Sequence, residues 1–257
     1  MLKVKGLTKA YGKVIANNNL SFEIPAQSVN LLLGPNGAGK STLIMCILGL
    51  LRCSGDVTIA GHDKASIEAK RIVGYMPEIP QLYPLLTVAE HLEFVSRIYR
   101  LEDWQRRAEE LLERFDLKDK KHKLGAQLSK GMQQKLSLIS AVIAQPKLLL
   151  VDEPLIGLDP PAIREAKKLF HELAEAGTTL VISTHILDTM GDLWDRSLIM
   201  QDGYLKAIVE RDYLDARGLS LDEFFLEVTN KKAEAEPAEE QLQTAPEKEY
   251  RGGGSDV

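Results

Sequence analysis

A glycine-rich turn near the start of the chain carries the clearest chemical signal. Residues 34–42 match the pattern G-x-x-x-x-G-K-[ST] and follow the largely apolar run 29–33. The glycines let backbone N–H groups converge on phosphate oxygens, Lys40 supplies a positive charge for the outer phosphates, and the Ser41 hydroxyl can hold Mg²⁺. A strand, such a turn and a helix start in this order predict a binding site for ATP or GTP.

Two adjacent carboxylates follow a second apolar run. Residues 148–151 are Leu-Leu-Leu-Val, and Asp152 and Glu153 come directly after them. Ligands of open parallel sheets lie beyond the carboxyl ends of the strands, so we expect these acids at the same edge as the glycine-rich turn. Asp152 would support Mg²⁺, and Glu153 would polarise a water in line with the γ-phosphate. The alternative is a charged strand end that faces solvent.

A histidine and a serine stand at the ends of two further elements. His185 follows the predicted strand 179–183 and should reach the same sheet edge, where it can donate to the γ-phosphate or orient the water. Ser129 precedes the predicted helix 130–144 and is a good N-cap residue. A helix start carries about half a positive charge and free N–H groups, which makes it a second potential anion site. The alternative for Ser129 is a helix cap and nothing more.

Periodicity in the apolar residues predicts alternating strands and helices, and therefore an α/β fold. The fully apolar strands favour a parallel sheet that is covered on both faces. The predicted strands are Leu2–Lys5, Leu20–Glu23, Ser28–Leu33, Val57–Ile59, Ile72–Tyr75, Lys147–Val151, Thr179–Ser183, Ser197–Met200 and Tyr204–Val209. The predicted helices are Lys40–Leu51, Val88–Tyr99, Asp103–Phe115, Lys130–Ala144, Pro161–Ala176 and Ile186–Leu193.

The alternation lapses between Tyr75 and Lys147, where three helical patterns follow one another without a convincing strand. Such a run predicts a helical lobe inserted into the α/β core at about 78–145. Further on, large apolar residues become few, and residues 231–257 hold four Lys or Arg against seven Asp or Glu. We expect residues 230–257 to form a disordered acidic tail, because they cannot bury enough surface to offset their ordering entropy.

Composition excludes several classes of protein. With 257 residues, 44% of them hydrophobic, the chain can bury a substantial core. Its longest notable apolar stretch, Leu43–Leu51, is far shorter than the roughly 20 residues that span a bilayer, and its first residues do not resemble a secretory signal. Cys46 and Cys53 form neither a disulfide framework nor a paired metal site. A formal charge of −5 without a basic face argues against nucleic acid binding. We therefore expect a cytoplasmic protein.

Taken in order, these motifs resemble the nucleotide-binding subunit of an ATP-binding cassette (ABC) transporter over residues 1–229. The resemblance identifies 34–42 as the Walker A loop, 148–153 as the Walker B strand and 129–131 as the core of the signature motif. The implied fold is α/β, a P-loop NTPase core with a mostly parallel sheet, an antiparallel β subdomain and an inserted α-helical lobe. Walker A alone is shared by many NTPases, whereas the ordered set is specific to this family.

The resemblance also implies a role for each site residue. The implied catalytic residues are Glu153 and His185, the latter as the switch histidine. The implied ligands of Mg²⁺ are Ser41, Asp152 and Glu78. The implied ATP contacts are Tyr11, which stacks on adenine, then Gly34, Asn36, Gly37, Ala38, Gly39, Lys40, Ser41 and Thr42 of the Walker A loop, then Ser129, Gly131 and Gln133 of the signature motif, and Asp159 of the D-loop.

Three positions keep alternatives open. The family usually has glutamine where this chain has Glu78, which brings a further negative charge near the phosphates; a loop acid that faces solvent is the alternative. The signature motif usually continues Gly-Gln, whereas Met132 stands between Gly131 and Gln133 here. The alternative for Tyr11 is a partly exposed tyrosine at the edge of a strand.

The resemblance implies that two copies of the cassette, or one copy and a paralogous one, sandwich two ATP molecules head to tail. It also implies an integral membrane permease as a partner, which places the chain on the inner face of the cell membrane. The segment 220–229 is similar to the closing helix of export-type subunits and favours an exporter. Two alternatives stay open: a soluble ABC ATPase that acts on DNA or ribosomes, and a regulatory nucleotide sensor without turnover.

Overall fold

The structure is a computed structural model that describes residues 1–185, 191 and 193–230. Its strands are β1 (Leu2–Tyr11), β2 (Val14–Ile24), β3 (Val29–Leu33), β4 (Ser54–Ile59), β5 (His62–Asp63), β6 (Val73–Met76), β7 (Leu148–Asp152), β8 (Thr179–Thr184), β9 (Arg196–Gln201) and β10 (Tyr204–Glu210). Its α-helices are α1 (Lys40–Ile47), α2 (Ile67–Arg71), α3 (Val88–Tyr99), α4 (Trp104–Arg114), α5 (Lys130–Val142), α6 (Pro160–Glu175), α7 (Arg211–Asp215) and α8 (Leu221–Asn230). Nowhere in the described ranges does a helix combine the length and the apolar character that a bilayer span requires.

A six-stranded sheet forms the centre of the fold, in the order β10-β9-β3-β8-β7-β6. Neighbouring strands from β9 to β6 are parallel, and β10 pairs antiparallel with β9 at the edge. Every residue of β3, β7 and β8 is buried, as expected for strands that are covered on both faces. The prediction of a mostly parallel sheet is therefore confirmed.

A second, antiparallel sheet has the order β2-β1-β4-β5, and it confirms the antiparallel β subdomain. Its strands β1 and β2 run well beyond the predicted ranges 2–5 and 20–23. Their pairing shifts register between Val4 and Leu7 and again on either side of Lys9. Each shift interrupts the apolar alternation from which strands are predicted, so the sequence pattern covers only part of each strand. The short elements β5, α2 and α7 are missing from the prediction.

Helices α3, α4 and α5 follow one another between β6 and β7, inside the range predicted for the helical lobe. A capping box formed by Thr87 and Glu90 begins α3. The last helix of the three, α5, lies so close to the sheet that a Cβ at Gly74 would come within 2.4 Å of the carbonyl oxygen of Ala141. The lobe is therefore attached to the core through α5. Its limits at 78 and 145 stay a prediction.

Some predicted ends differ from the structure. Helix α1 ends at Ile47 instead of Leu51, because Gly49 takes a left-handed φ of 72° and its N–H donates to the carbonyl oxygen of Cys46 over 3.2 Å. The predicted helix 186–193 lies mostly outside the described residues. The predicted tail lies outside them from residue 231 onward, while Asn230 is the last residue of α8.

Candidate functional site

The glycine-rich loop lies between β3 and α1 and holds a buried amine. Lys40, the first residue of α1, is only 7% exposed. Its Nζ donates to the carbonyl oxygen of Gly34 over 2.7 Å and to that of Pro35 over 3.3 Å, and it lies 4.0 Å from Oε1 of Glu153. Burial lowers the pKa of Lys40, and the carboxylates of Glu153 and Asp152 oppose that shift.

Two glycines of this loop are required by close neighbours. A Cβ at Gly34 would lie 2.3 Å from the carbonyl oxygen of Met200, and a Cβ at Gly39 would lie 2.3 Å from that of Ala16. Gly39 also has a left-handed φ of 99°. Both neighbours are backbone atoms and cannot move aside as a flexible side chain could. The other predicted loop residues divide by exposure: Asn36 and Gly37 are exposed, Ala38 is buried, and Ser41 and Thr42 are half-buried in the first turn of α1.

The two predicted carboxylates lie where β7 ends beside β8. Asp152 is 2% exposed and accepts a 2.7 Å hydrogen bond from the Oγ of Ser183. Glu153 is 6% exposed, takes a left-handed φ of 48°, and donates its N–H to the carbonyl oxygen of Ser183. Nδ1 of His185 lies 2.7 Å from Oε1 of Glu153. The alternative of a solvent-facing strand end is wrong, because both acids are buried and bonded.

The predicted metal ligands differ in their surroundings. Ser41 is half-buried and Asp152 is buried, whereas Glu78 is exposed on the loop after β6. The charge of Glu78 nevertheless acts on Lys40: after those of Glu153 and Asp152, it opposes the lowering of the Lys40 pKa that burial causes. Across the described part of the chain, no group of three or more His, Cys, Asp or Glu side chains is placed to hold a metal ion. A metal here would therefore also need hydroxyl, water or phosphate oxygens.

The signature segment stands at the open start of α5. Ser129 is exposed and caps the helix, its Oγ accepting from the N–H of Met132 over 3.3 Å. A Cβ at Gly131 would lie 3.1 Å from the carbonyl oxygen of Gly157, so this helix start rests on the loop that follows Glu153.

The remaining signature and D-loop residues are engaged within the chain. Nε2 of Gln133 donates to the carbonyl oxygen of Gly125. Asp159 caps α6 through the N–H of Ala162 and pairs with Lys135, and these two contacts lower the pKa of its carboxyl group. Both side chains are therefore bonded to other groups of the same chain near the helix start. If Gln133 or Asp159 contacted ATP, it would have to do so while keeping these intrachain bonds or after breaking them.

Tyr11 ends β1 and is 49% exposed. The ammonium group of Lys9 lies 4.7 Å from the centre of its ring. The Lys9 ammonium group thus covers one ring face, and the exposure leaves room for a flat base to stack on the ring. Both interpretations of Tyr11 from the sequence, an adenine contact and an exposed edge tyrosine, fit these facts.

Sequence reasoning missed two side chains that hold the site together. Ser183 orients Asp152, and Asn17 of β2 donates to the carbonyl oxygen of Gly39. The sequence contained a signal for Ser183. It lies near the end of a predicted buried strand, so its hydroxyl is expected beside the polar residue that ends a neighbouring strand. Asn17 had no such signal, since residues 17–19 are three consecutive asparagines and look like a turn.

The chain is similar to a known protein family and to individual proteins of known sequence. The family model described as ABC transporter matches residues 17–156. The chain is 35% identical over 242 residues to the ABC-type transporter ATP-binding protein EcsA of Bacillus subtilis (strain 168), covering 91% of this chain and 98% of EcsA. It is also 35% identical over 235 residues to the bacitracin transport ATP-binding protein BcrA of Bacillus licheniformis, covering 90% of this chain and 76% of BcrA.

Two solved structures share the fold. One is described as the structure of the ATP binding subunit of an ABC transporter, with a TM-score of 0.84 and 35% identity over 89% of this chain and 99% of that chain. The other is a dimeric ATP-binding cassette in a post-hydrolysis state bound to ADP and Pi, with a TM-score of 0.72 and 28% identity over 82% of this chain and 98% of that chain.

Proposed function

The chain belongs to the ABC transporter family and is an ATP-binding and ATP-hydrolysing subunit, and we propose that it powers an exporter through ATP-driven pairing of two cassettes. The observation that carries this proposal is the grouping of Lys40, Asp152 and Glu153 at one edge of the central sheet. There a buried amine lies 4.0 Å from a buried carboxylate. A triphosphate on the glycine-rich loop would meet both a positive charge and a proton acceptor at its outer phosphate.

Lys40 and Glu153 have separate tasks at that phosphate. The Lys40 amine, which donates to two loop carbonyl groups, would donate to phosphate oxygens once the triphosphate is bound. Glu153 would accept a proton from the attacking water as the water oxygen bonds to the γ-phosphorus, while the bond to the β–γ bridging oxygen breaks in line and ADP leaves with that oxygen. His185 would hold Oε1 of that carboxylate, as its 2.7 Å distance allows, and leave the second oxygen for the water.

The donor set fits Mg²⁺. In proteins this ion is usually held by one or two side-chain oxygens, with waters and phosphate oxygens completing an octahedron. The Ser41 hydroxyl and the Asp152 carboxylate would supply those oxygens, and the bond from Ser183 keeps Asp152 oriented. When bound, Mg²⁺ supplies charge that neutralises the β- and γ-phosphate oxygens. Glu78, being exposed, would act on this site through its charge.

A second copy would complete the site. Ser129 and Gly131 begin α5, a helix of 13 residues, and free N–H groups at such a start favour an anion. Within one chain, the Oγ of Ser129 caps the N–H of Met132, and Gly131 lies close to the loop at Gly157. A second cassette, identical or paralogous, would bring its bound γ-phosphate to this point, so that two ATP molecules join two chains head to tail. The dimeric cassette among the similar structures supports this arrangement.

A membrane subunit would dock on apolar side chains at and before α3. Leu85, Ile79 and Ile98 are 82%, 70% and 60% exposed. Tyr83 and Phe94, also exposed, pack edge to face with ring centres 5.2 Å apart. Several large apolar side chains exposed in one region of the chain are typical of a protein interface. Relatives named for peptide export, bacitracin transport and lantibiotic transport support an exporter.

A largely apolar cavity, which Tyr99 at the end of α3 helps to line, would transmit movement. It has a volume of about 270 Å³, and its lining includes Leu48, Leu50, Tyr75 and Tyr99. The two leucines follow α1, the helix that begins at the phosphate loop. A side chain of the membrane subunit inserted here would contact both core and lobe, and that subunit would hold the chain at the inner face of the membrane. Recovery of an integral subunit with the tagged chain from detergent-solubilised membranes tests this part.

Replacement of Glu153 by glutamine tests the mechanism. Because the amide cannot accept the proton, we expect Glu153→Gln to slow ATP hydrolysis by ~10²-fold or more. ATP should still bind, and a dimer should appear by light scattering when ATP is added. Glu175→Gln is the matched control, since Glu175 is an exposed acid at the end of α6. Unchanged hydrolysis would remove Glu153 from its role, and a persistent monomer at saturating ATP would contradict the paired arrangement.

A further inference from the structure

A buried asparagine of the antiparallel sheet contacts the last glycine of the phosphate loop. Asn17 is fully buried in β2, and its Nδ2 donates to the carbonyl oxygen of Gly39 over 3.1 Å. The same carbonyl oxygen accepts the N–H of Leu43 over 2.8 Å, the first hydrogen bond of α1. Oδ1 of Asn17 is buried and has no partner among the described residues. The side chain thus leaves one polar atom unsatisfied while it anchors Gly39.

The direction of the Gly39 carbonyl decides where a phosphate-binding group points. In a trans peptide the C=O and the following N–H point in opposite directions. Holding the Gly39 oxygen toward Leu43 and Asn17 therefore turns the N–H of Lys40 the other way, out of the helix start, where anions bind. A single helical bond at a helix end frays easily. The bond from Asn17 gives this peptide a second fixed point.

A bulge in β2 brings the asparagine there. Lys9 pairs with Asn17 and Ala10 pairs with Ile15, so Ala16 is an extra residue on this strand. Its carbonyl oxygen occupies the place that a Cβ at Gly39 would need. The bulge therefore brings the backbone of β2 into direct contact with the phosphate loop.

The turn between β9 and β10 contacts both the phosphate loop and β2. The N–H of Gly203 donates to the carbonyl oxygen of Ala38 over 3.2 Å, and its own carbonyl oxygen accepts the N–H of Asn18 over 2.8 Å. A Cβ at Gly203 would lie 2.9 Å from the carbonyl oxygen of Ala16. The loop is thus held by two segments that are distant from it in the sequence.

We infer that Asn17 is a positioning residue for phosphate binding, which fixes the Lys40 N–H and ties the phosphate loop to the strand hairpin that carries Tyr11. The inference rests on the proposed function, since it refines how the same loop holds ATP. Asn17 contacts no reacting atom. It acts through the Gly39 peptide.

Two replacements of Asn17 test the inference. Asn17→Ala removes the donor and leaves space, whereas Asn17→Leu removes the donor and fills the space, so packing is disturbed in opposite directions. Both should weaken binding of ATP and of inorganic tripolyphosphate by about two- to tenfold, the range for one hydrogen bond. The KM for ATP should rise by a similar factor, with kcat changed less than threefold. The control is Asn18→Ala, because Asn18 donates to the hydroxyl of Tyr204 instead.

The readouts separate positioning from folding. Removal of the unsatisfied Oδ1 should leave the melting temperature of Asn17→Leu unchanged or raised while affinity falls; a merely structural role would lower the melting temperature and leave affinity unchanged. Affinities within twofold of the natural chain in both variants would overturn the inference. Lys40→Ala is measured beside them: if it also binds ATP normally, the proposed site itself fails, whereas normal binding by the Asn17 variants alone refutes only this inference.

Discussion

The core half and the lobe half of the proposed ATP site are built in opposite ways. In the core, Lys40 and Glu153 are 7% and 6% exposed, and each is held by neighbours in the same chain. In the lobe, Ser129 is exposed at an open helix start, with Gly131 two residues later. A desolvated, preorganised half can bind nucleotide alone, whereas an open helix start needs an anion from outside. Changes in the lobe half should therefore impair turnover without weakening nucleotide binding by the single chain.

The register of neighbouring strands accounts for the close grouping of the site residues in the core half. Asp152 of β7 pairs with Ser183 of β8, and Leu33 of β3 pairs with Thr184 of β8. Three strands therefore end side by side, and the groups that follow them are brought together without a long loop. The lobe half has no such constraint, because its position depends on helix packing and on side-chain contacts.

The largest of three further effects should come from a charge placed in the lobe half. We expect Gly131→Asp to reduce ATP hydrolysis by ~10²-fold, because a carboxylate facing a phosphate costs several kcal/mol. ATP binding to the separated chain should stay within twofold. Gly131→Ala is the matched control, since it makes the same 3.1 Å approach to the Gly157 carbonyl oxygen without the charge. Equilibrium titration measures nucleotide binding. If Gly131→Asp no longer binds nucleotide, the claim that the core half binds it without the lobe half is wrong.

A smaller effect should follow from the aromatic ring at the end of β1. Tyr11→Ala should weaken ATP binding by about tenfold, since base stacking on an aromatic side chain contributes about 1–3 kcal/mol. Tyr11→Phe should stay near the natural value, and tripolyphosphate should bind equally to all three proteins. Competition titrations with these ligands check the prediction. If Tyr11→Ala weakens tripolyphosphate as much as ATP, the ring supports the fold instead of the base.

The smallest effect concerns the attachment of the lobe to the core. Arg114 of α4 donates to Glu165 over 3.1 Å and to Glu172 over 2.9 Å, both on α6. The pKa of Glu172 is lowered chiefly by Arg114, and that of Glu165 by Lys168 and then by Arg114. Partly exposed pairs of this kind contribute about 0.5–1 kcal/mol, so Arg114→Met should lower the melting temperature at pH 7 by about 1–3 °C.

The sign of the pH dependence follows from the two lowered pKa values. A carboxyl group whose pKa is lower in the folded chain stabilises the fold above its unfolded pKa, about 4.3 for glutamate, and loses that contribution as the pH falls through the folded pKa. The difference between Arg114→Met and the natural chain should therefore shrink below about pH 4. Arg106→Met, which removes an exposed pair on the same helix, is the control. Equal melting curves for the two variants at pH 7 would contradict a special role for Arg114.

Much of the core half is predictable because its signals are local. The spacing of Gly34, Gly39 and Lys40 specifies a loop, and an apolar run that ends in Asp152 and Glu153 specifies a strand end. In both patterns the residue types themselves favour the local backbone structure, a tight turn in the first and a buried strand in the second. The three-helix lobe is likewise visible, because helical periodicity does not depend on neighbours. The length of β1 and β2 is hidden, since bulges interrupt their alternation.

The sequence alone determined the fold class, the glycine-rich loop after a strand and the apolar run that ends in two acids, because each of these depends on residues that are close together in the chain. Only the tertiary structure decided that His185 contacts Glu153 and that Asn17 anchors Gly39. Those pairs are 32 and 22 residues apart, and they meet through the order of strands in the sheet and the bulge in β2. Sheet order and bulges arise from the packing of the whole chain, which no local pattern contains.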